Sequence, residues 1–373
     1  MTSVSVKRVT AKRVTVKRVT LQITRCLLSL LLSSGAIAGP EAGLTSLVSY
    51  QQRLYMDGHR FVSLYASAPL SRENPQIRRV LVVVHGAGRD ADEYFRSAMA
   101  AAFLSGALSD TLVVAPRFAA ASAECHDDAA ENELTWDCDA WKFGESSSNS
   151  VPADSFEVMD ELLRRIENPK RFPNESQVLV AGHSAGGQYV VRYAIANKVD
   201  ETLRVKPQYL AINPSSYPYL DRYRPVRIDQ TTRPNTLLPA DREDLTTDLG
   251  AARLTEIRDP HGCAGFEQWP YGLTDRRGYS ASLAVHDIEQ HFINRRLQLL
   301  VGQQDSVPLA GLDTSCAAML QGAHRLERAI NFAAYGRERY QADHKLTIVP
   351  LCGHNARCML TSPVVMPLLF PHQ

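Results

Sequence analysis

The chain has 373 residues, with 41 Lys and Arg against 40 Asp and Glu, 45% hydrophobic residues and 22% charged residues. That balance excludes a disordered, collagen-like or many-span membrane protein. The net charge of +1 hides an asymmetry: seven basic residues precede the first acidic one, Glu41, and the chain beyond residue 38 is acidic by about six charges, which gives it no electrostatic reason to bind nucleic acid.

The early basic residues lie in the repeat VKRVT-AKRVT-VKRVT at 6–20, followed by the apolar run CLLSLLLSSGAIA from Cys26 to Ala38. A charged stretch, a short apolar run and the small residues Ala36 and Ala38 before Gly39 read as a cleavable export signal over residues 1–38. A nucleic-acid-binding arm would explain the repeat but not the apolar run. The expected location is therefore secreted or periplasmic. The run is too short to span a bilayer, and Ile23-Thr24-Arg25 before Cys26 is not a lipidation motif, so no stable membrane anchor is expected.

Of the seven cysteines, Cys26 falls within the expected signal. The other six could form three disulfides in an oxidising compartment, in any of 15 pairings. Local spacing favours Cys125 with Cys138 and Cys352 with Cys358, leaving Cys263 with Cys316. There is no C-x-x-C pair, so no metal site is expected.

Residues 39–373 are enough for one large α/β domain with insertions or for two small domains. Tyr50 to Tyr55 and Arg60 to Ala66 read as an antiparallel pair turning at Asp57-Gly58. Six apolar, β-branched runs follow: Arg79 to His85, Thr111 to Pro116, Gln177 to Ala181, Tyr209 to Asn213, Leu297 to Val301 and Lys345 to Pro350. Continuous apolar runs suit strands of a parallel sheet, which are covered on both faces. Helical spacing between them predicts helices at Ser155 to Ile166, Ala185 to Ala196 and over much of Ala317 to Tyr340. Strand and helix in alternation argue for a doubly wound sheet. The stretch 214–294, after the sixth strand, is rich in Tyr, Pro, Arg and Asp and is read as a cap or lid insertion. His286-Asp287-Ile288-Glu289-Gln290-His291 has the wrong spacing for a zinc helix and is read as an exposed helix face.

The stretch Gly182-His183-Ser184-Ala185-Gly186-Gly187 joins a strand end to a helix start. A serine between glycines in that context fits a nucleophile turn, because the turn is too tight for side chains at 182 and 186. It lifts the Ser184 hydroxyl above the sheet and aims the Ala185 N–H, at a helix head, toward developing negative charge. His85-Gly86-Ala87-Gly88 ends an earlier strand with a small-residue loop, so Ala87 is the expected second donor of an oxyanion hole, with Gly88 as the alternative. It lacks the spacing of a phosphate loop. His85 reads as a structural histidine beneath that loop.

Chain order then calls for an acid and a histidine after later strands. Asp305 follows Leu297 to Val301, and His354 follows Lys345 to Pro350; Asp313 is a competing acid. Asp305 would orient His354, and His354 would take the Ser184 proton and return it to the leaving group. A bridge between Cys352 and Cys358 would pin the loop that carries His354.

HGAG at 85–88, GHSAGG at 182–187, the Asp305 loop and CGH at 352–354 resemble the α/β-hydrolase superfamily from about Tyr50 to the C-terminus. Trp141-Lys142-Phe143-Gly144, Asn213-Pro214-Ser215-Ser216-Tyr217 and Gln321-Gly322-Ala323-His324-Arg325 resemble a poorly characterised exported subgroup. The chain is also similar, more distantly, to secreted esterases and polyester depolymerases. The resemblance implies an eight-strand, mostly parallel sheet, a serine nucleophile and no cofactor. It makes residues 39–373 a catalytic domain for a small-molecule or polymeric ester. An amidase or peptidase using the same three residues, and a non-catalytic binding protein of the same fold, are the rival readings. Trp141, Tyr217, Tyr219 and Trp269 are candidate pocket walls, with ordinary packing as their alternative.

Overall fold

Consecutive Val and Leu residues give each central strand an apolar side chain on both faces, and the architecture follows from covering both. In the computed structural model, which describes residues 50–225, 253–258, 262–309 and 311–371, eight strands form one sheet. They are β1 (Gln51–Tyr55), β2 (Phe61–Ala66), β3 (Arg79–Val84), β4 (Thr111–Pro116), β5 (Gln177–His183), β6 (Gln208–Ile212), β7 (Leu297–Gly302) and β8 (Lys345–Val349). Their spatial order is β1-β2-β4-β3-β5-β6-β7-β8. β1 and β2 are antiparallel, β2 joins β4 antiparallel, and the pairings from β4 onward are parallel. The expected export signal lies outside the described residues.

Alternation sorts each strand between two cores. Val80, Val82 and Val84 of β3 join one apolar cluster, while Leu81 and Val83 join the other. The first cluster is closed by α2 (Ser155–Ile166), α3 (Ala185–Ala196), α4 (Val285–Asn294) and α5 (Arg325–Tyr340). On the opposite face lies α1 (Ala91–Leu104), whose Tyr94, Phe95, Ala98, Ala101 and Ala102 are buried. Small alanines let this helix lie close to the sheet, and they leave little apolar periodicity in the sequence to announce it.

The helix expected over Ala317 to Tyr340 is broken in two. A short turn, Cys316–Met319, stops before Gly322, whose φ of 146° suits glycine, and α5 restarts at Arg325 with the His324 side chain accepting from Glu327 N–H at 3.2 Å. Between them the Gln321 side chain turns inward, accepting from Tyr217 N–H and donating to the Tyr217 carbonyl, both at 2.8 Å. Those two bonds to buried backbone outweigh continuing the helix.

The long segment after β6 is described at 214–225, 253–258 and 262–294, whereas 226–252 and 259–261 of the expected cap lie outside the described residues. Its described part packs against the flanking helices. Tyr217 stacks on Phe332 with ring centroids 4.4 Å apart, and Tyr219 lies 4.4 Å from Tyr335. Trp269 Nε1–H donates to the Phe143 carbonyl at 2.9 Å. Within α4, His286 is exposed, but His291 is half-buried with Nδ1 3.0 Å from the Ile195 carbonyl, so the expected exposed face is only partly exposed. Three disulfides join Cys125 to Cys138, Cys263 to Cys316 and Cys352 to Cys358. Among the described residues no helix is long and apolar enough to cross a membrane.

Candidate active site

β5 runs straight into α3 with a single residue, Ser184, between them. That residue adopts φ 59° and ψ −117°, a conformation that costs a non-glycine residue about 1–3 kcal/mol and must be held by its surroundings. Ser184 N–H donates to the Ile212 carbonyl at 2.8 Å, and the Ser184 carbonyl accepts from Gln188 N–H at 3.0 Å, so both sides of the turn are tied. The flanking glycines have a steric cause. A Cβ at 182 would strike the Gly186 carbonyl, and a Cβ at 186 would strike the carbonyls of Val84 and His85, all closer than the 3.0 Å that real Cβ atoms essentially never breach. Backbone cannot swing aside, so the turn needs glycine at both positions.

The loops after β7 and β8 are joined to each other. Gln303 N–H donates to the Val349 carbonyl and Gln304 N–H to the Cys352 carbonyl, both at 2.9 Å. Beneath them Asn213 is buried at the end of β6. Its side chain accepts from Gly302 N–H and donates to the Gly353 carbonyl, both at 3.0 Å. In the sequence Asn213 ends an apolar run and opens a family-like stretch; its position at a strand end before a proline is the local signal of a special turn. The Cys352–Cys358 bridge closes a short loop around His354.

This framework brings Ser184, His354 and Asp305 into one line. His354 Nε2 lies 2.9 Å from Ser184 Oγ, and His354 Nδ1 lies 2.8 Å from Asp305 Oδ2. Asp305 is fully buried, while the His354 side chain keeps 18% exposure. With Asp305 ionised, Nδ1–H donates to the carboxylate and Nε2 is left to accept from the serine hydroxyl. Asp313, the competing acid, is engaged elsewhere: it accepts from Tyr271 O–H at 2.7 Å and from Ser315 N–H at 3.0 Å.

The candidate oxyanion donors are the N–H groups of Ala185 and Ala87. Ala185 is the first residue of α3, where an N–H has no acceptor within its own helix. Ala87 lies in the small-residue loop after β3 and lines the same cleft as Ser184. Beneath that loop His85 is fully buried, with Nδ1 2.8 Å from the Gly86 carbonyl and Nε2 accepting from Phe118 N–H at 3.0 Å. Burial pushes its imidazole down to about 4, so it stays neutral. His85 therefore packs and holds the loop, as the sequence suggests.

Tyr94 and His183 were not expected at the site. Tyr94 Oη is 3.0 Å from His183 Nδ1, and a Cβ at residue 86 would lie 2.6 Å from the same hydroxyl. Burial raises the Tyr94 phenol and holds the His183 imidazole well below its usual value, with the neighbouring His354 and Arg325 acting in the same direction on His183. A protonated Tyr94 and a neutral His183 therefore share one buried hydrogen bond, its direction set by the His183 tautomer. The hydroxyl links the glycine loop after β3 to the residue before Ser184. Eighty-nine residues separate the two partners, and no local pattern announces such a bond.

The cleft over Ser184 measures about 670 Å³ and is lined by the glycine loop after β3, Asp90 before α1, Glu93 and Tyr94 of α1, His183, the disulfide loop from His354 to Cys358, which includes Arg357, and Thr361 beyond it. The four candidate wall residues lie elsewhere. Trp141, Tyr217 and Tyr219 are fully buried and Trp269 is 8% exposed, all within the apolar core. Trp141 stacks on Phe118 at 5.3 Å. Packing is therefore their role among the described residues. No group of His, Cys, Asp and Glu that could hold a metal occurs among the described residues.

An eight-strand sheet of this order, with a serine in a strained strand-to-helix turn, defines a class of hydrolase fold. A family model described as the alpha/beta hydrolase family matches residues 81–366, and the chain belongs to that family. Similar solved structures include the poly(3-hydroxybutyrate) depolymerase LpqC of Bordetella parapertussis, at 21% identity and a TM-score of 0.55, covering 87% of this chain and 92% of that one. Another is poly(aspartic acid) hydrolase-1 of Sphingomonas sp. KT-1, at 19% identity and a TM-score of 0.54, covering 86% of this chain and 97% of that one. No curated protein matches the sequence.

Proposed function

We propose that this hydrolase is an exported serine esterase that cleaves carboxylic esters through an acyl-enzyme on Ser184. The observation that carries the reading is the placement of His354, within 2.9 Å of the Ser184 hydroxyl and 2.8 Å of the Asp305 carboxylate. Ser184 Oγ attacks the ester carbonyl as His354 Nε2 takes its proton; the tetrahedral oxyanion is held by the N–H groups of Ala87 and Ala185. His354 then protonates the departing alkoxide, and water repeats the sequence to release the acid. Asp305 stays ionised and steadies the imidazolium. A fluorophosphonate should add once, to Ser184, as read by peptide mass spectrometry; labelling elsewhere with Ser184 untouched rejects the assignment. Export is supported by the three disulfides, which persist in oxidising compartments. Parallel assays with p-nitrophenyl esters and the matching anilides separate esterase from amidase.

The cleft also bears on chain length. Among the described residues that line it, Tyr94 is the one large ring; no Leu, Ile, Val, Phe or Met is present. A buried acyl chain gains about 0.8 kcal/mol per methylene, roughly fourfold in kcat/KM. Across a p-nitrophenyl ester series that gain is expected to stop at butyrate. A continued rise to laurate would show an apolar channel and contradict the expectation.

Tyr94→Phe removes the hydroxyl between the glycine loop and His183 while keeping the ring. A net hydrogen bond is worth about 1 kcal/mol, so kcat should fall roughly fivefold through the loss of oxyanion geometry, with KM little changed. Steady-state kinetics on a short-chain ester checks this, and an unchanged kcat counts against the link.

A further inference from the structure

Asp305 has two carboxylate oxygens, and His354 uses one of them. The other, Oδ1, is buried and has no hydrogen-bond partner among the described residues. It faces Arg325, whose Nη1 lies 3.5 Å away, and both side chains are 0% exposed. Arg325 is the first residue of α5, and the next residue, Leu326, donates its N–H to the Asp305 backbone carbonyl at 3.1 Å. The start of α5 is therefore fixed against the acid both through its backbone and through a charge.

An ionised carboxylate out of reach of water is costly unless a cation compensates it. We infer that Arg325 is a positioning residue for the proposed reaction: its buried guanidinium keeps Asp305 ionised, holds Oδ2 toward His354 and tempers the negative charge that His354 senses. This rests on the reading of Ser184, His354 and Asp305 as the reacting groups.

The other charged or titratable groups around the pair do not substitute for Arg325. His183, at the end of β5 with its ring 4.7 Å from that of His354, is held neutral by burial. Tyr217, from the segment after β6, is also buried, and its phenol is raised by burial first and by the Asp305 charge among the lesser causes. Arg328, one turn along α5, donates to the carbonyls of Ser215 and Gly322. Across the cleft, Arg357 is 60% exposed and lies 3.6 Å from Glu93, a largely self-cancelling pair. Asp90 and Tyr94 also line the cleft; Asp90 adds negative charge there, and burial keeps Tyr94 neutral. Burial pushes the Arg325 guanidinium down and the Asp305 charge pushes it back up, as expected of two groups that need each other.

Two measurements test the inference, and one does not depend on catalysis. In thermal unfolding, Arg325→Met should lower Tm by about 5–10 °C because it strands a buried carboxylate, and adding Asp305→Asn should recover most of that loss. A double variant no more stable than Arg325→Met, or one that fails to fold alongside it, overturns the ion-pair role. In kinetics, removing the cation strengthens the pull of Asp305 on a proton at His354. The acid limb of kcat/KM for Arg325→Met should therefore move up by about one pH unit, while Arg325→Lys stays at the wild-type limb. A uniform loss of rate with an unmoved limb would make Arg325 only a packing residue. Wild-type protein that neither hydrolyses esters nor takes up a fluorophosphonate would remove the catalytic reading instead, and the unfolding cycle would still decide the ion pair.

Discussion

Ser184→Ala is expected to reduce ester hydrolysis by about 10⁴-fold or more while leaving the fold intact. The loss is large because the three groups act as a unit: without Oγ there is no acyl-enzyme, and His354 and Asp305 have nothing to activate. The fold should survive because alanine keeps the Cβ, and the strained backbone at φ 59° is held by the bonds to Ile212 and Gln188, which use backbone atoms alone. The decisive comparison is turnover of a short p-nitrophenyl ester by wild type and variant at matched Tm. Turnover within tenfold of wild type would mean that another group is the nucleophile.

Gly186→Ala should be severely damaging for a single added methyl. Its Cβ would enter the carbonyls of Val84 and His85, at the end of the strand that leads into the Ala87 loop. To relieve that overlap α3 must move away from β3, which shifts Ser184 and Ala185 relative to Ala87. An overpacked core site costs about 1–3 kcal/mol, and more where the obstacle is backbone. The expected result is poor soluble yield, or a folded protein with a lowered Tm and kcat reduced at least 100-fold, since an ångström of misplacement costs about that much. Near wild-type Tm and kcat would show that the turn is softer than its contacts imply. As a control, Gly58→Ala has nothing within 4 Å of its Cβ and should be neutral.

Much of this arrangement can be read from the chain alone. Strands covered on both faces demand unbroken apolar runs, which is why β3 to β8 stand out. The glycines around Ser184 stand out because the turn tolerates nothing larger. Asp305 and His354 could be located because the fold places such groups directly after strands. Other features depend on partners far away in sequence. Tyr94 looks like a core aromatic until His183 is beside it, and Arg325 looks like a helix-surface cation until the buried Asp305 is seen against it. The break at Gln321 depends on Tyr217, 104 residues earlier. The alanine face of α1 packs well but carries too little contrast to reveal a helix by periodicity.

Asn213 has a consequence for how such a molecule can diverge. One amide side chain clamps the ends of neighbouring segments from below, so the working parts take their spacing from the floor of the site and not from its rim. Residues on the rim, such as Glu93, Thr361 and Arg357, can then be exchanged for others without retuning the machinery underneath. Selection, or an engineer, could thus alter what is admitted while leaving the chemical step untouched.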